Sequence, residues 1–182
     1  MKIILIGFKS SGKSTIGRVL SERLNLDFFD LDQLIEKRFS EEKGQAVSFR
    51  EIFRKIGRDN FRELENSLLQ EHISVDSCLI SLGGGTLDDK KNRELLEEFC
   101  VVYVRVPIED ILSRIRKIGY PSYLDDSDNP EEDIRNLFVL REPVFEKLAD
   151  IVIENPNSVE FEKLILDLTR KILNLVQNND CN

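Results

Sequence analysis

The 182-residue sequence predicts an α/β fold in three layers, with a five-stranded parallel sheet between two layers of helices. Five short apolar segments alternate with segments whose apolar residues recur at helical spacing, which is typical of parallel strands joined by helices. The first apolar segment runs directly into a glycine-rich phosphate-binding motif, and a helical pattern follows at once. No internal repeat or linker interrupts this order, so we expect a single domain over residues 1–182.

The predicted elements follow one another with short connections. Strands are expected at residues 3–6, 28–32, 77–82, 100–106 and 151–153. Helical spacing begins after the glycine-rich motif and recurs over residues 34–39, 49–56, 61–69, 95–99, 108–115, 134–148 and 161–172. Ser48 and Glu51 match a capping box, Gly57 is expected to end a helix, and Asp88 to cap one. Residues 117–130 have no periodicity, and a loop of that length is typical of a lid.

The motif after the first strand is Gly7-Phe8-Lys9-Ser10-Ser11-Gly12-Lys13-Ser14-Thr15, a phosphate-binding P-loop. Its glycines let backbone N–H groups approach an anion, and the helix N-terminus adds unpaired donors and a partial positive charge. Lys13 is expected to reach the β- and γ-phosphates of a nucleoside triphosphate, and the Ser14 hydroxyl to ligate Mg²⁺. The triphosphate is expected to contact Gly7, Ser10, Ser11, Gly12, Lys13, Ser14 and Thr15.

Composition and charge argue against several classes of protein. The formal net charge of −8 disfavours nucleic acid or an anionic membrane as the main partner. No apolar run approaches the ~20 residues of a membrane helix, and we expect no signal peptide. Cys78, Cys100 and Cys181 lack metal or redox spacing, so we expect reduced thiols in a cytosolic protein.

Two further clusters follow predicted strands, at the edge of the sheet where ligands bind. Asp30 and Asp32 are two residues apart, which places them on one side of an extended chain, where they can hold Mg²⁺ or accept a hydroxyl proton. Solvated turn aspartates are the alternative. Gly83-Gly84-Gly85 follows the third strand and is interpreted as close backbone approach to a ligand, with a flexible turn as the alternative.

Arginines are informative in such an acidic chain. Arg62 and Glu65 are three residues apart and can pair on a helix surface. Arg141 falls on the apolar stripe of its helix, where an unpaired charge is costly. We therefore expect Arg141 to bind an anionic ligand group, such as a carboxylate or phosphate, with a pair to a carboxylate of the chain as the alternative.

Taken together, these clusters resemble those of the shikimate kinases. The resemblance extends from Lys2 to about Asn155 and rests on five segments in this order and spacing. They are the P-loop, Phe29-Asp30-Leu31-Asp32 with Ile35-Glu36, Ile52-Phe53 with Phe61-Arg62-Glu63-Leu64-Glu65, Ser81-Leu82-Gly83-Gly84-Gly85, and Arg141-Glu142-Pro143-Val144-Phe145 with Ala149-Asp150. It implies a P-loop kinase fold like that of nucleoside monophosphate kinases, with strand order 2-3-1-4-5, a substrate-binding region near residues 33–62 and a lid near residues 117–130.

The resemblance also implies an activity and roles for residues. The activity is ATP-dependent phosphorylation of the 3-hydroxyl of shikimate, in the biosynthesis of chorismate and aromatic amino acids. Asp32 would bind the substrate hydroxyls and take the proton, while Ser14 and Asp30 would serve Mg²⁺. The remaining assignments are Arg62 and Arg141 to the shikimate carboxylate, Glu65 to orienting Arg62, Gly83, Gly84 and Gly85 to backbone contacts, Phe53 and Phe61 to the pocket wall, and Asn155, Pro156 and either Arg114 or Arg116 to the adenine.

One position departs from the family pattern. The lid of the family carries an Arg-Pro pair whose arginine reaches the transferring phosphate, and Tyr120-Pro121 stands in that place here. Tyrosine cannot supply the charge, so Lys9, Lys117 and Arg116 are the candidates to replace it. Two rival functions remain at this point: another small-metabolite kinase of the same fold, acting on gluconate or a nucleotide, and a non-catalytic nucleotide-dependent binding protein. We expect a cytoplasmic monomer.

Overall fold

A parallel sheet of five strands forms the centre of the molecule, in the order β2-β3-β1-β4-β5. The computed structural model describes residues 1–177, apart from the side chains of residues 50 and 122. The strands are β1 (Lys2–Ile6), β2 (Asp27–Asp30), β3 (Cys78–Ser81), β4 (Cys100–Arg105) and β5 (Ile151–Glu154). In register, Ile4 lies opposite Ile80 of β3 and Val101 of β4. The predicted fold class and strand order are confirmed.

Helices cover both faces of the sheet. They are α1 (Lys13–Leu24), α2 (Leu31–Lys43), α3 (Phe49–His72), α4 (Lys90–Glu94), α5 (Ile108–Ile118), α6 (Pro130–Leu148) and α7 (Phe161–Gln177). Alternate residues of β1 enter different apolar clusters: Ile4 and Ile6 belong to one, and Ile3 and Leu5 to the other. Because both faces are buried, the strand is apolar throughout rather than alternating with polar residues.

The structure changes two details of the predicted elements and confirms a third. β2 ends at Asp30 and α2 begins at Leu31, so Asp32 lies in a helix and the argument from an extended chain was wrong. Gly57 ends the first helical stretch as predicted, because its non-helical φ of 76° and ψ of 172° form a kink between two helical stretches of α3. Asp89, not Asp88, caps the short α4, because its carboxylate accepts the backbone N–H of Lys91 at 2.9 Å.

The connection between α5 and α6 corresponds to the expected lid. It contains one turn of 3-10 helix, Ser122–Leu124, and Asn129 caps α6 at its end. Cys78 and Cys100 are buried, whereas Cys181 lies outside the described residues. Within residues 1–177, no helix combines the length and apolar character needed to cross a membrane.

Candidate active site

One large pocket, of about 1340 Å³, opens at the carboxyl ends of the strands. Its wall comes from the P-loop, the start of α2, α3, the triple-glycine turn after β3, the lid connection and α6. The predicted clusters therefore meet at one place. We call the part around the P-loop the phosphate half. The part around Arg62 and Arg141 is called the acid half, after the acidic ligand group that these two arginines are expected to bind.

In the phosphate half, the Lys13 ammonium lies inside the curve of the P-loop. Its Nζ donates to the carbonyl oxygens of Gly7 and Phe8, both at 2.9 Å, and to Ser11 Oγ at 3.4 Å. Burial lowers the pKa of Lys13 to about 8, although the nearby charges of Asp32 and Asp30 oppose this. An anion bound at the P-loop would stabilise the protonated form and restore the charge.

The backbone of the P-loop is shaped to present N–H groups. Ser10 and Gly12 are left-handed, with φ of 64° and 94°. Gly12 is the N-cap of α1, and no side chain in the described part of the chain caps that helix, so the donors of its first turn remain available for an anion. A Cβ on Gly7 would lie 2.6 Å from the Val104 carbonyl oxygen, so the close approach of loop and strand requires glycine there.

Arg114, rather than Arg116, reaches the P-loop. Its guanidinium donates to the carbonyl oxygens of Ser10 at 3.1 Å and Asn155 at 2.7 Å, and it lines the pocket. Arg116 instead donates twice to Glu131, both at 2.6 Å, outside the pocket. Of the two arginines that the sequence left open, Arg114 therefore lies at the pocket and Arg116 does not.

Asn155, one of the predicted ATP residues, supports the P-loop from outside the pocket. Asn155 is buried and its amide donates to the Ser11 carbonyl oxygen at 2.7 Å. Gly7, Ser11, Asn155 and Pro156 do not line the pocket, whereas Ser10, Gly12, Lys13, Ser14 and Thr15 do. Asn155 thus fixes the P-loop conformation.

Asp30 and Asp32 both line the pocket, and each has a buried oxygen without a hydrogen-bond partner among residues 1–177: Oδ2 of Asp30 and Oδ1 of Asp32. The other oxygen of Asp30 caps α2 by accepting the Gln33 N–H at 3.3 Å. Burial, and next the charge of Asp30, raise the pKa of Asp32 to about 6. Buried acceptors without partners are costly, so these two oxygens are suited to receive donors or a cation from a ligand.

Two carboxylates hold the arginines of the acid half. Glu65 is 1% exposed; one of its oxygens pairs with Arg62, and the other accepts the Thr86 hydroxyl at 2.6 Å. Asp88 accepts a bidentate pair from Arg141, at 2.9 Å from Nε and 2.6 Å from Nη2. In this structure Arg141 therefore pairs with a carboxylate of the chain, which was the alternative to an anionic ligand in the sequence analysis. The arginine also lines the pocket.

The triple-glycine turn fits closely among these groups. A Cβ on Gly83 would lie 2.8 Å from Glu65 Oε1 and 2.9 Å from Asp32 Oδ1. One on Gly85 would meet Arg62 and, at 2.8 Å, Nη2 of Arg141. None of the three glycines has a positive φ, so the requirement for glycine here is one of space and not of conformation.

An aromatic wall closes the acid half. Phe61 is buried, and the rings of Phe49 and Phe53 pack against it at centroid distances of 4.9 and 5.4 Å. Tyr123 reaches Phe53 from the lid connection at 6.4 Å, and burial raises the pKa of its hydroxyl. Phe53 and Phe61 were predicted here, and Phe49 and Tyr123 are additions.

Two polar contacts hold the lid connection in place. Arg54 of α3 pairs with Asp125 at 2.5 Å across the pocket mouth. The Tyr120 hydroxyl donates to Glu131 at 3.0 Å. Together with Arg116, this hydrogen bond lowers the pKa of Glu131 to about 2. Tyr120 therefore faces Glu131 of α6.

Sequence reasoning missed Thr86 and Asp88 as members of the site. Both follow the triple-glycine turn directly, so their position along the chain was a usable signal. Their roles depend on partners 21 and 53 residues away, which no local pattern identifies.

Comparisons with known proteins agree with this geometry. The family model described as shikimate kinase matches residues 9–174. Shikimate kinase of Haemophilus influenzae is 33% identical over 177 residues, covering 97% of this chain and 92% of the relative. That of Buchnera aphidicola is 36% identical over 156 residues, covering 85% and 87%.

Solved structures extend the comparison. Shikimate kinase from Acinetobacter baumannii in complex with shikimate has a TM-score of 0.78 and 33% identity, covering 100% of this chain and 95% of that one. A gluconokinase from Sinorhizobium meliloti has a TM-score of 0.56 at 13% identity, covering 97% and 94%, which is a likeness of fold alone.

Proposed function

The chain belongs to the shikimate kinase family, and on this premise we propose that the pocket at the strand ends is its catalytic site. The enzyme transfers the γ-phosphoryl group of ATP to the 3-hydroxyl of shikimate, giving shikimate 3-phosphate and ADP, in the pathway to chorismate and aromatic amino acids. One observation carries the assignment of the site. A single pocket joins the P-loop lysine, two arginines held by carboxylates, and a carboxylate oxygen that has no hydrogen-bond partner among residues 1–177.

The acid half binds the shikimate carboxylate through Arg62 and Arg141. Glu65 and Asp88 orient the two guanidinium groups, and Gly85 leaves open the space between them. Because the arginines are already fixed, little side-chain entropy is lost when the carboxylate binds. Backbone groups of Gly83, Gly84 and Gly85 and the rings of Phe53 and Phe61 surround the remainder of the substrate.

Asp32 orients the acceptor hydroxyl and receives its proton. In the transfer, the hydroxyl oxygen forms a bond to the γ-phosphorus, the bond from that phosphorus to the β,γ-bridging oxygen breaks, and ADP leaves with the electron pair. With a pKa of about 6, Asp32 is mainly ionised at neutral pH and can accept the hydroxyl proton. Phosphoryl transfer depends more on positioning than on a strong base, so orientation is its larger contribution.

Ser14 and Asp30 fit a Mg²⁺ site in the phosphate half. Asp30 Oδ2 is buried without a partner among the described residues, and the hydroxyl of Ser14 lies in the same pocket. Residues 1–177 contain no cluster of three or more His, Cys, Asp or Glu side chains that could hold a metal ion, so phosphate oxygens and water would supply the remaining ligands. When bound, the cation neutralises charge on the β- and γ-phosphates.

ATP binds along the P-loop through backbone N–H groups and Lys13. Arg114 and the segment of Asn155 and Pro156 form the adenine side, because Arg114 already bridges that segment to the loop. The region near residues 33–62 recognises shikimate, and the connection near residues 117–130 closes over the ligands as a lid. We propose a cytoplasmic monomer, since one chain supplies every group invoked here.

A coupled assay of ADP release tests the function. With Mg·ATP, we expect release with shikimate and none above background with gluconate or nucleoside monophosphates. Lys13→Met serves as the control for contaminating kinases, because it removes the phosphate-binding ammonium. Folded protein that binds ATP but releases no ADP with shikimate would refute the proposal.

A further inference from the structure

Lys9 occupies the junction between the two halves of the pocket. It is a P-loop residue that lines the pocket, and its backbone nitrogen lies 2.8 Å from where a Cβ on Gly84 would be. The P-loop backbone thus packs on the triple-glycine turn, and the Lys9 side chain lines the pocket with its ammonium over Phe49 in the wall of the acid half. Its charge opposes the rise of the Asp32 pKa and contributes to the lowering of the Lys13 pKa, as a cation near both groups would.

Apart from Arg58, which is exposed, the other cations that line the pocket are already engaged. Lys13 and Arg114 donate to backbone carbonyl oxygens, while Arg54, Arg62 and Arg141 pair with Asp125, Glu65 and Asp88. The Lys9 ammonium lies 5.7 Å from the centroid of the Phe49 ring, and it has no ion pair with any residue of the described part of the chain. A single cation–π contact at a partly exposed ring is weak, and the lysine stem is flexible, so this ammonium can turn toward an anion in the pocket.

The lid side of the pocket brings no positive charge. Its lining residues are Ile118, Pro121, Tyr123, Asp125 and Asp126. The only basic residue of the sequence between positions 117 and 130 is Lys117, which is exposed and does not line the pocket. Arg116, at the end of α5, is held by Glu131. The lid side of the pocket therefore contributes acidic side chains and no cation.

We propose that Lys9 is a catalytic residue whose ammonium stabilises the phosphoryl group as it moves from ATP to the acceptor hydroxyl. Phosphoryl transfer is accelerated by cations placed where charge is spread over the moving group. Lys9 neither gains nor loses a bond or a proton in the step, and the bond changes are those given above. This inference rests on the proposed function and assigns the missing positive charge to the P-loop instead of the lid.

Steady-state kinetics of Lys9→Met and Lys9→Gln test the inference against a matched control. We expect kcat to fall about 100-fold in both variants, with KM for ATP and shikimate changed by less than about threefold, because the charge acts mainly in the transition state. Lys9→Arg is expected to retain most of kcat. Lys117→Met removes the lid lysine and should leave kcat unchanged within about twofold. Thermal unfolding and calorimetric binding of Mg·ADP and shikimate show whether each variant is folded.

Different results separate the possible errors. Raised KM for shikimate with unchanged kcat would make Lys9 a binding residue and overturn the inference. A loss of kcat in Arg58→Met but not in Lys9→Met would assign the charge to Arg58, which also lines the pocket. Active wild-type enzyme with unaffected Lys9 variants would overturn the inference alone, whereas wild-type protein inactive with shikimate would overturn the proposed function first and this role with it.

Discussion

Replacement of Asp32 by asparagine should stabilise the unliganded protein while removing its activity. Asp32 Oδ1 is buried without a hydrogen-bond partner among the described residues, and the charge of Asp30 is close by. The ionised carboxylate is therefore unfavourable until substrate arrives. Asparagine has the same size and no charge, so Asp32→Asn removes this cost. It also removes the acceptor for the hydroxyl proton, and we expect kcat to fall by at least about 100-fold.

The magnitude follows from the pKa. A rise from 3.8 to about 6 corresponds to about 3 kcal/mol, at 1.36 kcal/mol per pH unit. Asp32 is partly exposed to the open pocket, so solvent reduces this to about 1–3 kcal/mol. Below pH 3.8 the carboxyl is protonated in both the folded and the unfolded chain, and its cost disappears; the cost grows between pH 3.8 and about 6 and is complete above that.

Urea unfolding followed by circular dichroism measures the difference, in buffer with EDTA and without ligands. At pH 7.5, Asp32→Asn should be about 1–3 kcal/mol more stable than wild type, which is about 3–10 °C in Tm for a chain of this size. At pH 4.0 the difference should fall below about 1 kcal/mol. Asp126→Asn, at an exposed position of the pocket mouth, is the control and should not change stability. An Asp32→Asn variant less stable than wild type at pH 7.5 would refute the reasoning.

Three further predictions concern the rest of the site. Arg114→Met should raise KM for ATP about 10-fold, because its contacts to the P-loop are lost. Arg116→Met, the control, should change KM for ATP less than about twofold. Equal effects of the two variants in steady-state kinetics would contradict the assignment. Gly84→Ala should lower kcat/KM for shikimate by about 100-fold, because its Cβ would lie 2.8 Å from a P-loop nitrogen. In the control Gly44→Ala the new Cβ lies in open space, so this variant should lose about 1 kcal/mol of stability and no activity. Thr86→Val removes a donor to the carboxylate that orients one substrate arginine, so calorimetry should show about 10-fold weaker shikimate binding and unchanged ADP binding.

Much of the fold could be predicted from the sequence because its signals are local. A buried parallel strand is a short apolar run, and a helix repeats its apolar residues every three or four positions, so β1 to β5 were found within two residues of their observed ends. The P-loop could also be identified from the sequence, because binding an anion requires particular residue types at particular positions. The rule that ligands meet the carboxyl ends of parallel strands then brought Asp30, the glycine turn and the P-loop to one edge.

Two local predictions from the sequence were wrong, and in each case a specific interaction explains the difference. The spacing of Asp30 and Asp32 suggested an extended chain, but the Asp30 carboxylate caps α2 and the helix begins one residue later. Asp88 resembled a helix cap, but its carboxylate instead accepts hydrogen bonds from Nε and Nη2 of Arg141, which lies 53 residues away along the chain.

By itself, then, the sequence determined the order of elements, the phosphate-binding loop and the residue types of a small-acid kinase. Each of these features depends on residues that are close together along the chain. Only the tertiary structure decided which partner each charged side chain contacts. It set Arg114 on the P-loop and Arg116 on Glu131, although both project from the same helix. It also left Lys9 between the two halves of the pocket without an ion pair in the described chain. Side chains of one type differ only in the partners that packing brings to them, and those partners come from distant parts of the chain.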